Sequence, residues 1–429
     1  MVVPRPQALA PHVAQKPHGS RVIAWTLWTL CFCTMWAQFA HASTEAGDMA
    51  HRPVDFVQAT EQYVVEHIMP EIPGAALAII VNGQIELLEG YGVRTRGEPT
   101  AIDRHTIFRL ASVSKTIAGT AAGAAVHDGW FTWNTPLTDY LSLDLKNPEY
   151  GQQITLTNIL SHTTGLMPQA YTNLIEANIP YDTVIERLNE VNFICPPSSC
   201  YSYQNVAFSL VGDMVMAATG ESYETFTERR LFQPLGMNDA SFGLQAFMDN
   251  PNHATPHIRR RGQWAPVNPS SNYYHVAPAA GANASITDMA RWVQAQLGRY
   301  PDVLSEDVLD TIQGPQVATS YRQAHYRAHP ELSNIYYGLG WRMFDFGEHR
   351  HFVHHGGWVQ GTRTEVLFNR KLQLGLVFLS NSENRYAREV VYRFLELYTE
   401  YYREVEAPYL LQKARHLPHS PPMTLKHDS

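Results

Sequence analysis

The sequence predicts an α+β fold with two lobes, in which one antiparallel sheet is built from both ends of the chain and flanked by helices, beside an inserted, mostly helical lobe. Three observations carry this prediction. Strand-like apolar runs lie near both ends of the 429-residue chain, helical spacing dominates its middle, and an Asn82-Gly83 pair marks a tight hairpin. A sheet assembled from distant segments leaves the intervening helices as a lobe of their own.

The N-terminal elements begin with a helix and a hairpin. Residues 54–68 carry apolar side chains at helical spacing, and two prolines end that pattern before an apolar strand at 75–81. The Asn-Gly pair tolerates positive φ angles, so we expect residues 84–89 to return antiparallel to the first strand.

The middle of the chain is predicted to be helical, and its C-terminal part to contain strands followed by a helix. Helical spacing recurs at residues 114–127, 156–161, 181–189, 206–218, 223–231 and 285–297. Near the C-terminus, strand patterns joined by short turns lie at 351–355, 364–368 and 372–380, and a helix is expected over 385–402.

Residues 1–42 have the composition of a secretory signal. Three basic residues without an acid precede an apolar run at 22–39 and an Ala-x-Ala ending at residue 42, which predicts cleavage before Ser43. An uncleaved signal anchor is the alternative, because a run of this length nearly spans a bilayer. In either case the folded domain is exported, to the periplasm or the medium.

The remaining chain divides into a linker at 43–57, one large domain at 58–405 and a tail at 406–429 whose prolines and polar residues predict disorder. The formal net charge of -8 is spread along the chain, which leaves no basic face for nucleic acid. We therefore expect small molecules or peptides as partners, and a membrane only if the N-terminal segment stays uncleaved.

Two of the four cysteines, Cys195 and Cys200, lie outside the signal segment. In an oxidising compartment they are expected to form a disulfide that stiffens the loop before Tyr203. Two reduced loop thiols are the alternative.

The segment Ser112-Val113-Ser114-Lys115 begins the candidate site. Residues three apart on a helix share a face, so the amine of Lys115 can reach the hydroxyl of Ser112 and not that of Ser114. A serine at a helix start also lies beside free backbone N–H groups, which stabilise an anion. Ser112 is thus the expected nucleophile and an oxyanion donor, and Lys115 the base once burial or a nearby cation lowers its pKa.

Tyr203-Gln204-Asn205 supplies a phenol and an amide. Tyr203 is expected to share proton transfer with Lys115, which must lie close by if a phenol is to act as a base near neutral pH. Asn205 offers its carbonyl to Lys115 and its NH₂ group to a substrate amide.

A third segment, His355-Gly356-Gly357, predicts a strand edge against which a substrate backbone can lie. Gly357 permits a close approach, and the N–H of Trp358 is the expected second oxyanion donor. His355 is expected to donate a hydrogen bond to a substrate carbonyl or carboxylate.

With these motifs the sequence resembles the serine beta-lactamase and penicillin-binding superfamily, in the branch of class C beta-lactamases, DD-peptidases, D-aminopeptidases and related esterases. The resemblance covers residues 58–400 and includes further matching segments at 106–115, 161–166, 234–237, 279–282 and 337–341. It implies a beta-lactamase-like fold, acylation of Ser112 by an amide, lactam or ester carbonyl, and hydrolysis of the acyl-enzyme by water without a cofactor. Peptidoglycan-derived peptides are among the substrates it suggests.

Two positions depart from the family pattern. Class C beta-lactamases have Lys-Thr-Gly where this chain has His355-Gly356-Gly357, and a histidine of ordinary pKa is mostly neutral at pH 7. We therefore expect a D-amino-acid peptide or a small ester as substrate. A class C-like beta-lactamase and a penicillin-recognising or peptidoglycan-binding sensor that stays acylated are the alternatives. Ser198 replaces a family glycine and predicts an altered loop before Tyr203.

Three other features receive simpler interpretations. His162 falls in a family loop behind the site, so we expect it to be structural. Four histidines at 349, 351, 354 and 355 suggest a metal site, but no cysteine or HExxH pattern supports one, and no metal is expected. Arg259-Arg260-Arg261 is interpreted as a solvated charge cluster in a polar loop.

Overall fold

The computed structural model describes residues 55–320 and 329–410. The proposed signal segment, nearly all of the proposed linker and residues 411–429 of the proposed tail lie outside these ranges, so those expectations stay predictions. Residues 407–410 were expected to belong to the disordered tail and are helical instead. Within these ranges, no helix is both long and apolar enough to cross a membrane.

A large antiparallel sheet forms the centre of the fold. The strands of the described residues are β1 (Gly74–Val81), β2 (Gln84–Gly92), β3 (Phe108–Arg109), β4 (Ser241–Phe242), β5 (His257–Arg260), β6 (Gln263–Pro266), β7 (Ala282–Ala284), β8 (Val317–Ala318), β9 (Leu332–Tyr337), β10 (Arg342–Phe346), β11 (His349–Val359), β12 (Thr362–Asn369) and β13 (Leu374–Ser380). Eight of them form the sheet in the order β2-β1-β13-β12-β11-β10-β9-β8. The two ends of the chain therefore meet where β1 pairs with β13, which confirms the predicted α+β architecture.

The first hairpin forms for the expected reason. Asn82 and Gly83 adopt φ angles of 54° and 73°, the left-handed conformation that a two-residue hairpin turn of this kind requires. β1 is flanked by β2 and β13 and is buried along almost its whole length, which explains its uninterrupted apolar sequence.

Helices cover both faces of the sheet and build the inserted lobe. They are α1 (Asp55–Tyr63), α2 (Ser114–His127), α3 (Pro148–Gln153), α4 (Leu156–Leu160), α5 (Thr172–Glu176), α6 (Tyr181–Glu186), α7 (Asn205–Thr219), α8 (Tyr223–Thr227), α9 (Gln233–Leu235), α10 (Leu244–Asp249), α11 (Ala277–Ala280), α12 (Ile286–Gln296), α13 (Glu306–Ile312) and α14 (Ala387–Tyr401). Alternate residues of β1 point to two cores. Leu77 packs in a cluster with Phe394 of α14, whereas Ala76 packs in a cluster with Trp292 of α12.

Several strands had no counterpart in the sequence prediction. β8, β9 and β10 extend the sheet beyond the C-terminal strands, and β3, β7 and β4 form a small second sheet. The interpretation of Arg259-Arg260-Arg261 as a polar loop was wrong. Arg259 and Arg260 belong to the hairpin of β5 and β6, and Arg261 begins its turn with a φ of 50°. Their side chains are still on the surface, because this two-stranded hairpin stands apart from the main sheet.

The pairing of β11 leaves one part of its edge open. β11 pairs with β12 as far as Val359, but its pairing with β10 ends at His354 opposite Arg342. Residues 355–359 therefore have a free edge on the β10 side. The segment that carries Ser112 approaches this part of β11, since a β-carbon on Gly357 would collide with the carbonyl oxygen of Leu110.

Candidate active site

Ser112 lies in a single 3₁₀ turn, Ala111–Val113, that leads directly into α2. Ala111 has a φ of 51°, an unusual conformation for a residue with a side chain, and this bend presents Ser112 at the start of the helix. Ser112 is partly exposed, whereas Ser114 is buried and its Oγ accepts a hydrogen bond from the backbone N–H of Ala282 at 3.0 Å. Ser114 therefore has a structural role, in which it links α2 to the strand that begins at Ala282.

Lys115 is fully buried one turn further along α2. Its Nζ lies 3.3 Å from Oγ of Ser112, 2.8 Å from Oδ1 of Asn205 and 3.0 Å from the carbonyl oxygen of Ala279. Burial lowers the pKa of Lys115 well below its ordinary value, and the charge of Arg342 lowers it further. A neutral amine has two N–H groups and one lone pair. The two oxygens accept those hydrogens, which leaves the lone pair for the hydroxyl of Ser112.

Tyr203 reaches Ser112 from the loop that precedes α7. Its Oη donates to Oγ of Ser112 at 3.0 Å, and Nζ of Lys115 lies 4.7 Å from its ring centroid. Burial raises the pKa of Tyr203, although Arg342 and the hydrogen bond to Ser112 oppose that rise. In the resting site the phenol is therefore protonated, and the neutral lysine is the stronger proton acceptor.

Asn205 holds Lys115 with its carbonyl oxygen, and its NH₂ group lies 3.4 Å from Oε1 of Gln169. The backbone N–H of Gln169 in turn donates to the carbonyl oxygen of Tyr203 at 2.8 Å. Gln169 thus joins Asn205 to the Tyr203 loop. The sequence offered no signal for it beyond its place in a loop between two matched motifs.

His162 lies behind Tyr203. The two rings are 4.3 Å apart, and Nδ1 of His162 accepts a hydrogen bond from the backbone N–H of Gln204 at 3.2 Å. Burial lowers the pKa of His162 well below its ordinary value, and the permanent charge of Arg342 lowers it further. The imidazole is neutral and packs the loop that presents Tyr203.

His355 is not where the sequence analysis expected it to act. It is 1% exposed and is absent from the lining of the cavity around Ser112. Its Nδ1 lies 2.9 Å from the carbonyl oxygen of Gly356, and its Nε2 lies 3.1 Å from Oη of Tyr337. Burial lowers its pKa well below the ordinary value, so a neutral ring donates to Gly356 and accepts from Tyr337. Both ring nitrogens of His355 therefore have a hydrogen-bond partner within the protein, and the ring stabilises β11.

Gly357 and Trp358, further along the same strand, do line the cavity. Trp358 is 57% exposed, and its ring forms part of the cavity wall together with Gly357. The side chain of Arg363 stacks on this ring, with its guanidinium carbon 5.1 Å from the ring centroid. An exposed indole beside the nucleophile offers an apolar surface to a bound molecule.

Arg342 is the most important residue that the sequence analysis missed. It begins β10, is 5% exposed and lines the cavity. Its Nη1 donates to Oη of Tyr201 at 3.3 Å, and its guanidinium stacks near the rings of Tyr203 and Tyr337. Arg342 follows directly after the matched segment 337–341. That position was the only feature of the sequence that could have identified Arg342 as a site residue. Arg342 supplies the site with a permanent positive charge.

The cavity has a volume of about 490 Å³ and combines walls from the sheet, α14 and the helical lobe. Its lining consists of Ser112, Gln169, Thr172, Glu176, Tyr203, Asn205, Tyr273, Ala280, Arg342, His354, Gly356, Gly357, Trp358, Arg363, Glu365 and Arg388. Concave sites that join a nucleophile to a few polar groups are typical of enzymes that act on small molecules or peptides.

A disulfide joins Cys195 to Cys200 in the loop before Tyr203. Ser198, where the resemblance predicts a glycine, has a φ of 66°, and its Oγ accepts from the side chain of Asn158 at 2.8 Å. The backbone therefore keeps a conformation that favours glycine, with a side-chain hydrogen bond to a neighbouring loop in addition.

The histidines near β11 do not converge. His349 packs against Tyr398, His354 lies 2.7 Å from Glu365, and the positive φ of His351 interrupts the alternation of the strand. In the described ranges, no three His, Cys, Asp or Glu side chains are grouped so that they could hold a metal ion.

Comparisons with known proteins identify the family of the chain. A family model described as Beta-lactamase matches residues 58–398. The chain is 28% identical over 322 residues to a beta-lactamase of Escherichia coli K12, a match that covers 75% of this chain and 76% of the relative. It is 27% identical over 189 residues to penicillin-binding protein 4 of Amycolatopsis lactamdurans, with 44% of this chain and 49% of the relative covered.

Among solved structures, the octameric penicillin-binding protein homologue from Pyrococcus abyssi has the same fold. The two structures align with a TM-score of 0.70 and 18% sequence identity, covering 83% of this chain and 80% of that one. At this identity the structural match concerns the fold alone.

Proposed function

The chain belongs to the beta-lactamase family, and from that premise we propose that it is an exported serine hydrolase that forms an acyl-enzyme on Ser112 with a D-amino-acid peptide or a small ester. The observation that carries the proposal is the arrangement around Oγ of Ser112. Oη of Tyr203 is 3.0 Å from it and Nζ of the buried Lys115 is 3.3 Å from it.

In the proposed reaction, the lone pair of Lys115 accepts the proton of Ser112 as Oγ attacks the substrate carbonyl. The N–H groups of Ser112 and Trp358 are the proposed donors to the oxyanion, at a helix start and at a strand edge. Tyr203 then donates its proton to the leaving group and regains one from Lys115. Water releases the acyl group by the reverse sequence of proton transfers.

The charges around the cavity bear on the class of substrate. His355 is neutral and turned away from the cavity, which argues against direct pairing with a lactam carboxylate at that position. Arg342, however, lines the cavity with a permanent charge. That one observation favours a second candidate function, the hydrolysis of β-lactams, whose carboxylate Arg342 would then bind.

Export is supported by two features. The composition of residues 1–42 is that of a secretory signal, and the Cys195–Cys200 disulfide is typical of proteins in oxidising compartments.

A panel of substrates tests the proposal. Purified protein and a Ser112→Ala variant are assayed with a short-chain p-nitrophenyl ester, a D-Ala-D-Ala peptide, a D-amino-acid amide and nitrocefin. We expect turnover of the ester or a D-amino-acid compound by the wild type and none by the variant. Faster turnover of nitrocefin than of the other three supports the second candidate instead.

The intact mass of the protein after incubation with a penicillin separates a hydrolase from a sensor. An adduct on Ser112 that persists for hours, without turnover of any compound, supports the sensor alternative. Turnover that survives in Ser112→Ala contradicts an acyl-enzyme on this residue.

A further inference from the structure

The cavity wall that the helical lobe supplies carries an exposed carboxylate. Glu176 ends α5 and lines the same cavity as Ser112. Its Oε1 accepts a hydrogen bond at 3.0 Å from Oη of Tyr273, which also lines the cavity. In the part of the chain that the structure describes, no lysine, arginine or histidine forms an ion pair with Glu176. The catalytic steps proposed above use neither Glu176 nor Tyr273.

Tyr273 holds this carboxylate in a defined place. It lies in the 3₁₀ turn Asn272–Val276, and Ser271, just before that turn, donates a hydrogen bond to Oδ1 of Asn178 at 2.8 Å. This second contact joins the same two segments of the chain. Burial raises the pKa of Tyr273, and the charge of Glu176 raises it further, so the phenol stays protonated and donates. A neutral donor positions the carboxylate without neutralising its charge.

A series of polar side-chain contacts leads from the catalytic groups toward Glu176. Asn205, which holds Lys115, has its NH₂ group 3.4 Å from Oε1 of Gln169. The same oxygen accepts a hydrogen bond from Oγ1 of Thr172 at 3.0 Å, and Thr172 begins α5. Glu176 is four residues further along this helix, so it shares a face with Thr172 about 6 Å further along the axis. The carboxylate therefore lies well beyond the position of the scissile bond.

The other charges of the cavity belong to different elements. Arg342 begins β10, and the two remaining arginines of the lining belong to β12 and α14. Glu365 also lines the cavity, but it is 1% exposed and lies 2.7 Å from Nε2 of His354. Among the described residues of the lining, Glu176 is thus the exposed acid. A positively charged group that enters the cavity is attracted to this wall and repelled by the arginines.

We propose that Glu176 and Tyr273 form a subsite for a positively charged substituent of the substrate, at a distance from the scissile bond. The proposal rests on the proposed hydrolysis at Ser112 and narrows its substrates to amides or esters with a distal cationic group. The carboxylate attracts the cation, and the ring of Tyr273 beside it offers apolar surface to the alkyl chain that carries the charge. An α-ammonium group does not reach this subsite. It is two bonds from the acyl carbonyl and stays beside Asn205.

Two matched pairs of esters test the subsite, each with a charged and an uncharged member of the same shape. One pair varies the acyl group, as p-nitrophenyl 6-(trimethylammonio)hexanoate against p-nitrophenyl 7,7-dimethyloctanoate. The other varies the leaving group, as 4-(trimethylammoniomethyl)phenyl hexanoate against 4-neopentylphenyl hexanoate. The ratio of kcat/KM for the charged and uncharged members is measured in the wild type, in Glu176→Gln, in Glu176→Lys and in Glu190→Gln.

Glu190 is the matched control for the loss of a negative charge. It is also an exposed glutamate of the helical lobe, and it accepts a hydrogen bond from Oη of Tyr171 at 3.4 Å. Unlike Glu176, it does not belong to the lining of the cavity. Glu190→Gln therefore changes the net charge of the protein by the same amount and leaves the proposed subsite intact.

We expect the ratio for at least one pair to fall about fivefold from the wild type to Glu176→Gln, near the upper limit for an ion pair in contact with water. Glu176→Lys should lower it further, and Glu190→Gln should keep the wild-type ratio. Because salt screens an exposed ion pair, added sodium chloride should lower the ratio in the wild type and leave it unchanged in Glu176→Gln.

An equal ratio in the wild type and in Glu176→Gln for both pairs overturns the subsite, even when the uncharged esters are hydrolysed and the proposed function holds. A loss of the same size in Glu190→Gln also overturns it, because the effect is then one of net charge. If the wild type hydrolyses none of the esters, the proposed function fails and calorimetric titration with hexyltrimethylammonium decides. Binding that Glu176→Gln loses supports the subsite. Binding that Glu176→Gln retains, or no binding to the wild type, overturns it.

Discussion

The guanidinium of Arg342 lies over the ring of Tyr203, with its central carbon 5.5 Å from the ring centroid. Arg342 is buried, and Tyr203 is partly buried at the cavity wall. Because a charge acts over a longer range in a protein interior than in water, Arg342 influences several ionisable groups of the site. It lowers the pKa of Lys115 and opposes the rise in the pKa of Tyr203. It therefore helps to keep Lys115 neutral and ready to accept a proton.

The first prediction concerns Arg342→Gln. Lys115 acts as a base only when it is neutral, and loss of the nearby charge raises its pKa. The acidic limb of the pH profile of kcat/KM should therefore move to higher pH, with activity at pH 7 falling about tenfold for each unit of the move. Arg342→Lys keeps the charge and should move the limb less. A limb that stays in place in Arg342→Gln, in a folded protein, shows that Arg342 does not control the base.

The second prediction concerns the phenol of Tyr203. Tyr203→Phe removes the hydrogen bond to Ser112 and keeps the ring that packs on His162. We expect kcat to fall by about 10²- to 10⁴-fold, the usual contribution of one general acid or base, with little change in thermal stability. Tyr201→Phe is the matched control, since that hydroxyl contacts Arg342. Equal losses in the two variants would show a structural effect and not proton transfer.

The parts of the site that the sequence predicted are those set by local geometry. Ser112 and Lys115 are one helical turn apart, so their contact follows from spacing alone. Tyr203 and Asn205 were identified from one short segment, and the chemistry of a phenol and an amide was enough to expect both of them beside Lys115. The hydrogen bond from Lys115 to Ala279 joins segments 164 residues apart, which no local pattern reveals.

His355 shows why the remainder needed the structure. Its direction depends on Tyr337, which β9 places beside it, and β9 had no counterpart in the sequence prediction. Residues 332–337 are only partly buried, so their apolar pattern is weak. In the same way, nothing in the sequence distinguishes Arg342 from the other arginines. Its role follows from β10, which places its guanidinium against the rings of Tyr203 and Tyr337.

The third prediction concerns the pH dependence of stability. Burial lowers the pKa of His162 and of His355 well below the ordinary value of 6.5. The unfolded chain then binds protons that the folded chain does not, so the free energy of unfolding is highest above pH 6.5 and falls as the pH drops through that value. Each such proton contributes about 1.4 kcal/mol per pH unit at most.

Urea unfolding between pH 7.5 and pH 5.5 measures this effect, in a window above the range where most carboxylates titrate. His162→Gln should have a shallower slope than the wild type, whatever its absolute stability. His67→Gln, which changes an exposed histidine, should keep the wild-type slope. Identical slopes in all three proteins would contradict the assignment of a neutral, buried His162.

The fourth prediction concerns the Cys195–Cys200 disulfide. The bridge closes a short loop, so its removal in Cys195→Ser/Cys200→Ser should lower the free energy of unfolding by about 2 kcal/mol. Backbone hydrogen bonds from Ser198 to Thr163 and from Ser202 to His162 also hold this loop. We therefore expect kcat to fall by less than about tenfold at 25 °C, a smaller loss than Tyr203→Phe causes. Dithiothreitol should reproduce both effects in the wild type and change nothing in the double variant. A wild type whose stability and kcat both withstand complete reduction, verified by thiol titration, would show that the bridge contributes to neither.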